Sequence, residues 1–393
     1  MAQSLQLFLQ YSKQGYLMQI INYQYQGRED DWHFSKVRFG KVNLLVGDTG
    51  TGKTRFLNTI FSLGMNVASK EEKTKTGYWD VTVKANKKLY RWVLETTRVP
   101  SRGVVVTQDN LWAIEDGEEK PIVERTLESF KFLGNDLPKL SQEKTSVFLL
   151  EQEEVINPLH EGFGTIMRRH FSLSALENVS TYQGVPGGLL TNKKKDLTLK
   201  DIYLSNFHLN VVLFLLRQYH IDVFNKISKT FQQIFPFIEQ TNILEMSEIH
   251  NNIGVPGNVP VFCIKEKGVD KWIELSQLSS GMQKVLLILA DISLIPEGGI
   301  YLIDEYENSL GINAIDFFPS LLNESEKENQ FIVTSHHPYL INNIPVKDWF
   351  VFHRKGSDVT IKFGDELVER FGKSKQEAFI KLINDPFYKE GIE

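Results

Sequence analysis

The chain has 393 residues, enough to bury a large core as one domain with insertions or as two domains. Its 44 basic and 49 acidic residues leave a formal net charge of -5, which excludes a surface basic all over, of the kind that wraps a nucleic-acid polyanion, but not a local basic patch. The single cysteine, Cys263, excludes an internal disulfide and any cysteine-rich metal centre, and suits a reducing cytosol. Residues 1–10 lack the basic flank of a signal peptide, and the longest apolar run, 285–295, is too short for a membrane span and contains Asp291. A cytoplasmic protein without membrane attachment is expected.

In chain order, residues 16–25 (YLMQIINYQY) alternate as a strand does, and 36–46 lead into the stretch around which the chain is arranged. Gly47, Asp48, Thr49, Gly50, Thr51, Gly52, Lys53 and Thr54 satisfy G-x-x-x-x-G-K-[ST] between a short buried strand (42–46) and a helix beginning at Arg55. Glycines let backbone N–H groups curl around phosphates, Lys53 adds a charge at the β and γ groups, and the Thr54 hydroxyl suits magnesium. Residues 79–97 read as two strands flanking Asn86, Lys87 and Lys88, and 103–122 repeat the pattern around Glu115, Asp116 and Gly117. The aromatic residues of these ribbons are expected in the core.

Residues 147–150 (VFLL) read as another buried strand, which would put Gln152 at a strand end. Residues 197–240 are helical in pattern with no sustained heptad, so no long coiled coil is expected. Between them, 181–195 is turn-rich, and Lys193, Lys194 and Lys195 read as a solvated loop rather than a DNA contact.

The last third carries more chemistry. Residues 299–305 (GIYLIDE) form an apolar strand closing in two carboxylates, a costly ending unless a cation or a task awaits them. Asp304 would hold magnesium through its water shell, and Glu305 would orient or deprotonate an attacking water. Upstream, Ser279 in LSSGMQK is placed as an N-cap ahead of an apolar helix, leaving free N–H groups that suit an anion. Downstream, residues 331–338 (FIVTSHHP) read as a buried strand ending in His336, placed to sense a γ-phosphate or else an ordinary strand-end histidine.

The order phosphate loop, LSSGM, LIDEYENSL, VTSHHP resembles the nucleotide-binding domain of the ABC ATPase superfamily, and within it the soluble RecF, SMC and OLD ATPases rather than transporter domains. The resemblance implies an α/β P-loop fold of the ATPase-head type: a mixed central sheet, an antiparallel β subdomain at 79–125 and a helical lobe at 155–250, within one domain spanning 1–393. It implies ATP and Mg2+ as ligands, Ser279 and Gly281 contacting the γ-phosphate of a facing subunit, and Asn308 and Ser309 in a loop communicating between sites. His336 would be the switch, and Gln152 the magnesium- and water-sensing glutamine, with Gln108 as its rival. Two departures stand out: Tyr306 replaces the usual proline, and Gly311 a common histidine. The implied activity is ATP hydrolysis in an ATP-bridged homodimer or higher oligomer. Resemblance to stand-alone ATPases of antiphage systems such as PARIS and Septu implies a separate nuclease or toxin effector. A RecF-like repair ATPase that binds DNA is the alternative, and a transporter subunit is disfavoured because the signature is not LSGGQ.

Overall fold

The computed structural model describes residues 17–68, 75–138, 140–170, 182–185, 197–205, 207–250, 259–308, 310–323, 327–371 and 375–392. The expectations for residues 1–10, for Lys193, Lys194 and Lys195, and for Ser309 lie outside these. In chain order the elements begin with β1 (Met18–Gln26), β2 (His33–Arg38) and β3 (Val42–Val46), followed by α1 (Lys53–Ala68). The ribbon strands are β4 (Gly77–Ala85), β5 (Lys88–Val99), β6 (Gly103–Glu115), β7 (Glu118–Thr126), β8 (Phe130–Phe132) and β9 (Asn135–Asp136). Next come α2 (Ser146–Leu149), α3 (Asn157–Phe163) and β10 (Met167–His170). A second stretch holds α4 (Leu199–Leu204), α5 (Leu209–Tyr219), α6 (Ile221–Ile234), β11 (Ile238–Glu245), α7 (Met246–Ile249), β12 (Pro260–Glu266), β13 (Ile273–Glu274) and α8 (Ser280–Leu294). The chain continues through β14 (Ile300–Asp304), α9 (Ile312–Asn323), β15 (Gln330–Thr334), α10 (Pro338–Asn343), β16 (Trp349–Lys355) and β17 (Asp358–Phe363) to α11 (Gly364–Phe371), α12 (Lys375–Asn384) and α13 (Pro386–Lys389).

Two compact units result: residues 1–169, 297–305 and 322–393 form one, and 170–296 with 306–321 the other. A single domain with an inserted helical lobe was expected; the helix that follows Ser279 falls in the second unit.

The first unit is built on a mixed sheet whose order is β10-β14-β15-β3-β16-β17-β2-β1-β4-β5-β6-β7-β8-β9. Strands β14, β15, β3 and β16 run parallel, and each residue of the first three is buried, as sheets covered on both faces require. From β1 through β4 to β9 the pairing is antiparallel. The expected hairpins form at Asn86-Lys87 and Asp116-Gly117, where all four residues take positive φ, the geometry of two-residue turns that match strand twist. Of the ribbon aromatics, Trp79, Tyr90 and Trp92 lie in the core as the alternation predicts, whereas Tyr78 and Trp112 are half-buried.

The stretch after β9 departs from the sequence reading. Residues 146–149 form the short helix α2 rather than a strand, because the Thr145 side chain caps it by accepting from Phe148 N (3.3 Å) and buried Asp109 accepts from both the N–H and the hydroxyl of Ser146. A four-residue apolar run has no periodicity to separate helix from strand, so local capping decided. Gln152 therefore sits in an exposed turn after α2, not at a strand end.

The second unit contains α4 to α6 as the pattern predicts, yet is not wholly helical. Strand β11 pairs antiparallel with β12, and β12 with β13, to give a three-stranded sheet. Asn210 on α5, fully buried, accepts from Phe262 N (2.9 Å) and so pins that helix to the small sheet.

Candidate nucleotide-hydrolysis site

Strand β3 ends at Val46 and α1 begins at Lys53, so the phosphate loop lies at the carboxyl edge of the parallel strands, where open α/β sheets bind ligands. Gly50 and Gly52 take φ of +91° and +98°, and a Cβ on Gly52 would stand 2.7 Å from the Trp32 ring, so glycine is required there. The Lys53 ammonium is buried beneath the loop and donates to the carbonyls of Gly47 and Asp48, both at 2.8 Å, while the Thr51 hydroxyl donates to Asp48 O at 2.8 Å. These bonds hold the loop curled.

Parallel pairing brings two more strand ends alongside. Ile303 is in register with Val333, which sets Asp304 beside Thr334. Asp304 is wholly buried, and its Oδ1 accepts from the Thr54 hydroxyl at 3.0 Å and the Thr334 hydroxyl at 2.9 Å; its Oδ2 lies 3.4 Å from Arg168 Nη2. The Thr334 oxygen also accepts from Glu305 N at 2.7 Å. Glu305 itself takes φ +49°, an uncommon conformation for a residue with a side chain, and so the carboxylate departs from the strand direction just where Asp304 ends it.

Glu305, His336, Lys53 and Thr54 line one cavity of about 610 Å³ together with Trp32 and Arg354. The guanidinium groups of Arg55 and Arg354 each lie over the Trp32 ring, 4.5 Å from its centroid. Arg55 pairs with Asp30, and Arg354 donates to Gly50 O at 3.1 Å, tying the wall of the cavity to the loop.

Thr54 and Asp304 present oxygen donors within hydrogen-bond distance of each other, a set that fits Mg2+, which keeps several waters and takes one or two protein ligands plus phosphate oxygens. Among the described residues there is no cluster of three or more His, Cys, Asp or Glu side chains suited to a metal. Gln152 and Gln108 are absent from the cavity lining among the described residues; Gln108 lies within β6, opposite Glu95 and Thr126.

In the second unit Ser279 is the N-cap of α8 as expected, its exposed side chain accepting from Met282 N at 3.3 Å. Gln283 Nε2 donates to Leu275 O and Leu278 O, both at 3.0 Å, holding the turn ahead of the cap, and Gly281 lies in the first turn of the helix. Buried Lys284 donates to Asn308 O at 2.8 Å, joining this helix to the loop after Glu305. Tyr306, in place of proline, stacks on Phe318 at 3.5 Å and donates its hydroxyl to Ala314 O at 3.0 Å; Gly311 is exposed with open space around it.

The sequence reading passed over Thr334, Arg168, Trp32 and Arg354. Thr334 stood in the quoted strand and gave a signal as its terminal hydroxyl, whereas the other three come from strands and loops distant in sequence and carry no motif.

Residues 185–342 match the family model described as AAA domain, putative AbiEii toxin, Type IV TA system, a span that holds Ser279, Asp304, Glu305 and His336 but not the phosphate loop. No curated protein matches the chain. Among solved structures it is similar to an Smc head bound to the C-terminal winged-helix domain of ScpA, at 14% identity over 87% of this chain and 96% of that one, TM-score 0.48. It is also similar to the SMC head domain from Thermotoga maritima (13% identity, 88% and 98% covered, TM-score 0.43). A third is an Smc head with an extended coiled coil bound to the C-terminal domain of ScpA, derived from Pyrococcus furiosus (15%, 90% and 98%, TM-score 0.43). Among the described residues no helix is long and apolar enough to cross a membrane. A phosphate loop, an acid pair and a histidine are thus gathered at one edge of a mixed α/β sheet, and the matched span holds the acid pair and the histidine.

Proposed function

We propose that the protein binds and hydrolyses ATP, and that two copies close around two ATP molecules to switch a separate effector. The observation carrying the hydrolysis is the set at the ends of β14 and β15: Asp304 bonded to the phosphate-loop hydroxyl of Thr54, with Glu305 and His336 lining the same cavity. Lys53 and the loop N–H groups would hold the β and γ phosphates, and Thr54 and Asp304 would hold Mg2+, which would supply charge neutralisation at those phosphates. Glu305 accepts a proton from, or orients, the attacking water, and His336 senses the γ-phosphate.

The closed pair is inferred from α8. A 15-residue helix with an exposed serine cap offers N–H groups and a positive dipole end to an anion, and Ser279 and Gly281 would present them to the ATP of a facing subunit. ATP then bridges the pair and hydrolysis loosens it, which couples chemistry to shape. The family description, which names a toxin and a toxin–antitoxin system, supports a setting in prokaryotic antiphage defence beside a nuclease or toxin. DNA binding of the RecF kind is the other reading, distinguished by a basic channel across the dimer.

Mixing subunits tests the shared site. Ser279→Arg and Lys53→Ala are each expected to be inactive, and a mixture to regain part of the activity, because one composite site then carries both defects and the other none. If the mixture stays inactive while the subunits exchange, either the shared site is wrong or both sites must fire together, and a structure with trapped ATP decides between the two.

A further inference from the structure

The buried carboxylate of Asp304 has a neighbour that the hydrolysis reading does not use. Strand β10 lies beside β14 in the sheet and carries Arg168, whose Nη2 is 3.4 Å from Asp304 Oδ2. The arginine is largely buried, with a side chain 20% exposed, and its Nε has no hydrogen-bond partner among the described residues. A guanidinium placed in low dielectric with an unused donor is an expensive arrangement if its task is only structural, since an arginine pairing with a carboxylate for stability normally does so through two parallel bonds. Among the described residues, its hydrogen bond is made on the opposite oxygen from the one that Thr54 and Thr334 occupy.

The two oxygens of Asp304 therefore face different partners. Oδ1 looks toward the phosphate-loop hydroxyl, where a divalent ion would join, and Oδ2 toward a resident positive charge. A fixed cation within several ångströms of a divalent ion repels it, and a fixed cation on its carboxylate also draws away electron density that the ion would use.

We propose that Arg168 is a positioning residue that competes with the divalent cation for Asp304. It neutralises the buried carboxylate when ATP and metal are not both present, and so confines tight metal binding to the nucleotide-loaded state, in which phosphate charges outweigh it. The inference rests on the reading of Asp304 as the metal-holding acid. Its subject is the metal affinity of the site, not the hydrolytic step.

The test is a Mn2+ titration followed by electron paramagnetic resonance, with a non-hydrolysable ATP analogue and again with no nucleotide, on the full chain. Wild type should bind Mn2+ with the analogue, and Asp304→Asn should lose this. Arg168→Gln should bind Mn2+ about tenfold more tightly than wild type and retain measurable binding without nucleotide, the size expected for one charge near a divalent ion at high effective dielectric. Arg168→Lys, which keeps the charge, should stay within about twofold of wild type. Equal or weaker Mn2+ binding in Arg168→Gln, with Asp304→Asn still defective, would overturn the competition while leaving the metal site intact. No Mn2+ binding in wild type, or undiminished binding in Asp304→Asn, would overturn the metal-site reading and this inference with it. Should Arg168→Gln not fold unaided, Mn2+ plus analogue supplied during refolding should rescue it, and failure of that rescue would also overturn the proposal.

Discussion

The two halves of the large sheet use the same kind of side chain for different ends. In the parallel part, β14, β15 and β3 are apolar at most positions, Asn43 and Gln330 apart, and then stop at Asp304, Thr334 and the phosphate loop, so the polar groups of the cavity gather where three carboxyl ends meet. In the antiparallel part, β4 to β7 alternate, and the polar groups that are buried there are bonded within the fold. Asp109 accepts from Trp92 Nε1 at 2.8 Å and the Ser146 hydroxyl at 2.7 Å, and lies 3.6 Å from Arg125, whose guanidinium in turn donates to the Lys144 and Ser141 carbonyls. Both regions hold a fully buried aspartate beside an arginine. At Asp109 the arginine's donors end on carbonyls and the acid is enclosed by the fold; at Asp304 the hydroxyl partner belongs to the phosphate loop and the next residue faces a cavity. Burial of a charge is thus a poor guide to function until its partners are identified.

Substitutions in the two regions should separate chemistry from architecture. The largest effect is expected for Glu305→Gln: the amide cannot accept the water proton, so turnover should fall by about 10²- to 10⁴-fold with ATP affinity held, measured by phosphate release and calorimetry. Hydrolysis at the parental rate would remove Glu305 from the mechanism. Asp109→Ala should act in the opposite sense, leaving Arg125 buried without its carboxylate and costing about 3–5 kcal/mol of stability in denaturant unfolding. Its folded fraction should bind ATP as before; a specific loss of binding would make the ribbon part of the site. Lys53→Ala comes next, because removing a charged donor to phosphate is worth about 1.5–3 kcal/mol, roughly 10- to 100-fold in ATP affinity. Unchanged affinity would show that the backbone of the loop suffices.

The same comparison explains what the sequence could disclose. Asp304, Glu305 and His336 each follow a buried run, where a change from apolar to polar is plain, Lys53 and Thr54 were marked by the spacing of the glycine motif, and the hairpins announced themselves through Asn86-Lys87 and Asp116-Gly117. Residues 147–150 misled because four apolar residues fit either periodicity, and the choice was made by Thr145 and by Asp109, which is 37 positions from Ser146. Arg168 and Trp32 were silent for a related reason: their meaning comes from neighbours in the sheet and from the close approach of Gly52, and neither leaves a local pattern. Strand β11 was absorbed into a helical reading since its partner β12 lies beyond an intervening segment.

The smallest expected effect lies outside both regions and concerns Asp348, just ahead of β16. Burial pushes its carboxyl up to about 6, the neighbouring Asp365 adding to this and Lys347 opposing it. With the folded pKa above the unfolded one, Asp348 favours the fold when protonated, and that contribution is full below about pH 4 and lost as pH rises through 6. At pH 8 the residue is therefore a charge held at a cost, which partial exposure reduces to about 1 kcal/mol or less. Asp348→Asn keeps the shape and removes the charge, so it should raise the melting temperature by about 1–3 °C at pH 8 and by nothing at pH 4. A gain that is equal at the two pH values would trace the effect to packing, and a loss at pH 8 would mean that the ionised carboxylate is being stabilised by Lys347 more than burial opposes it.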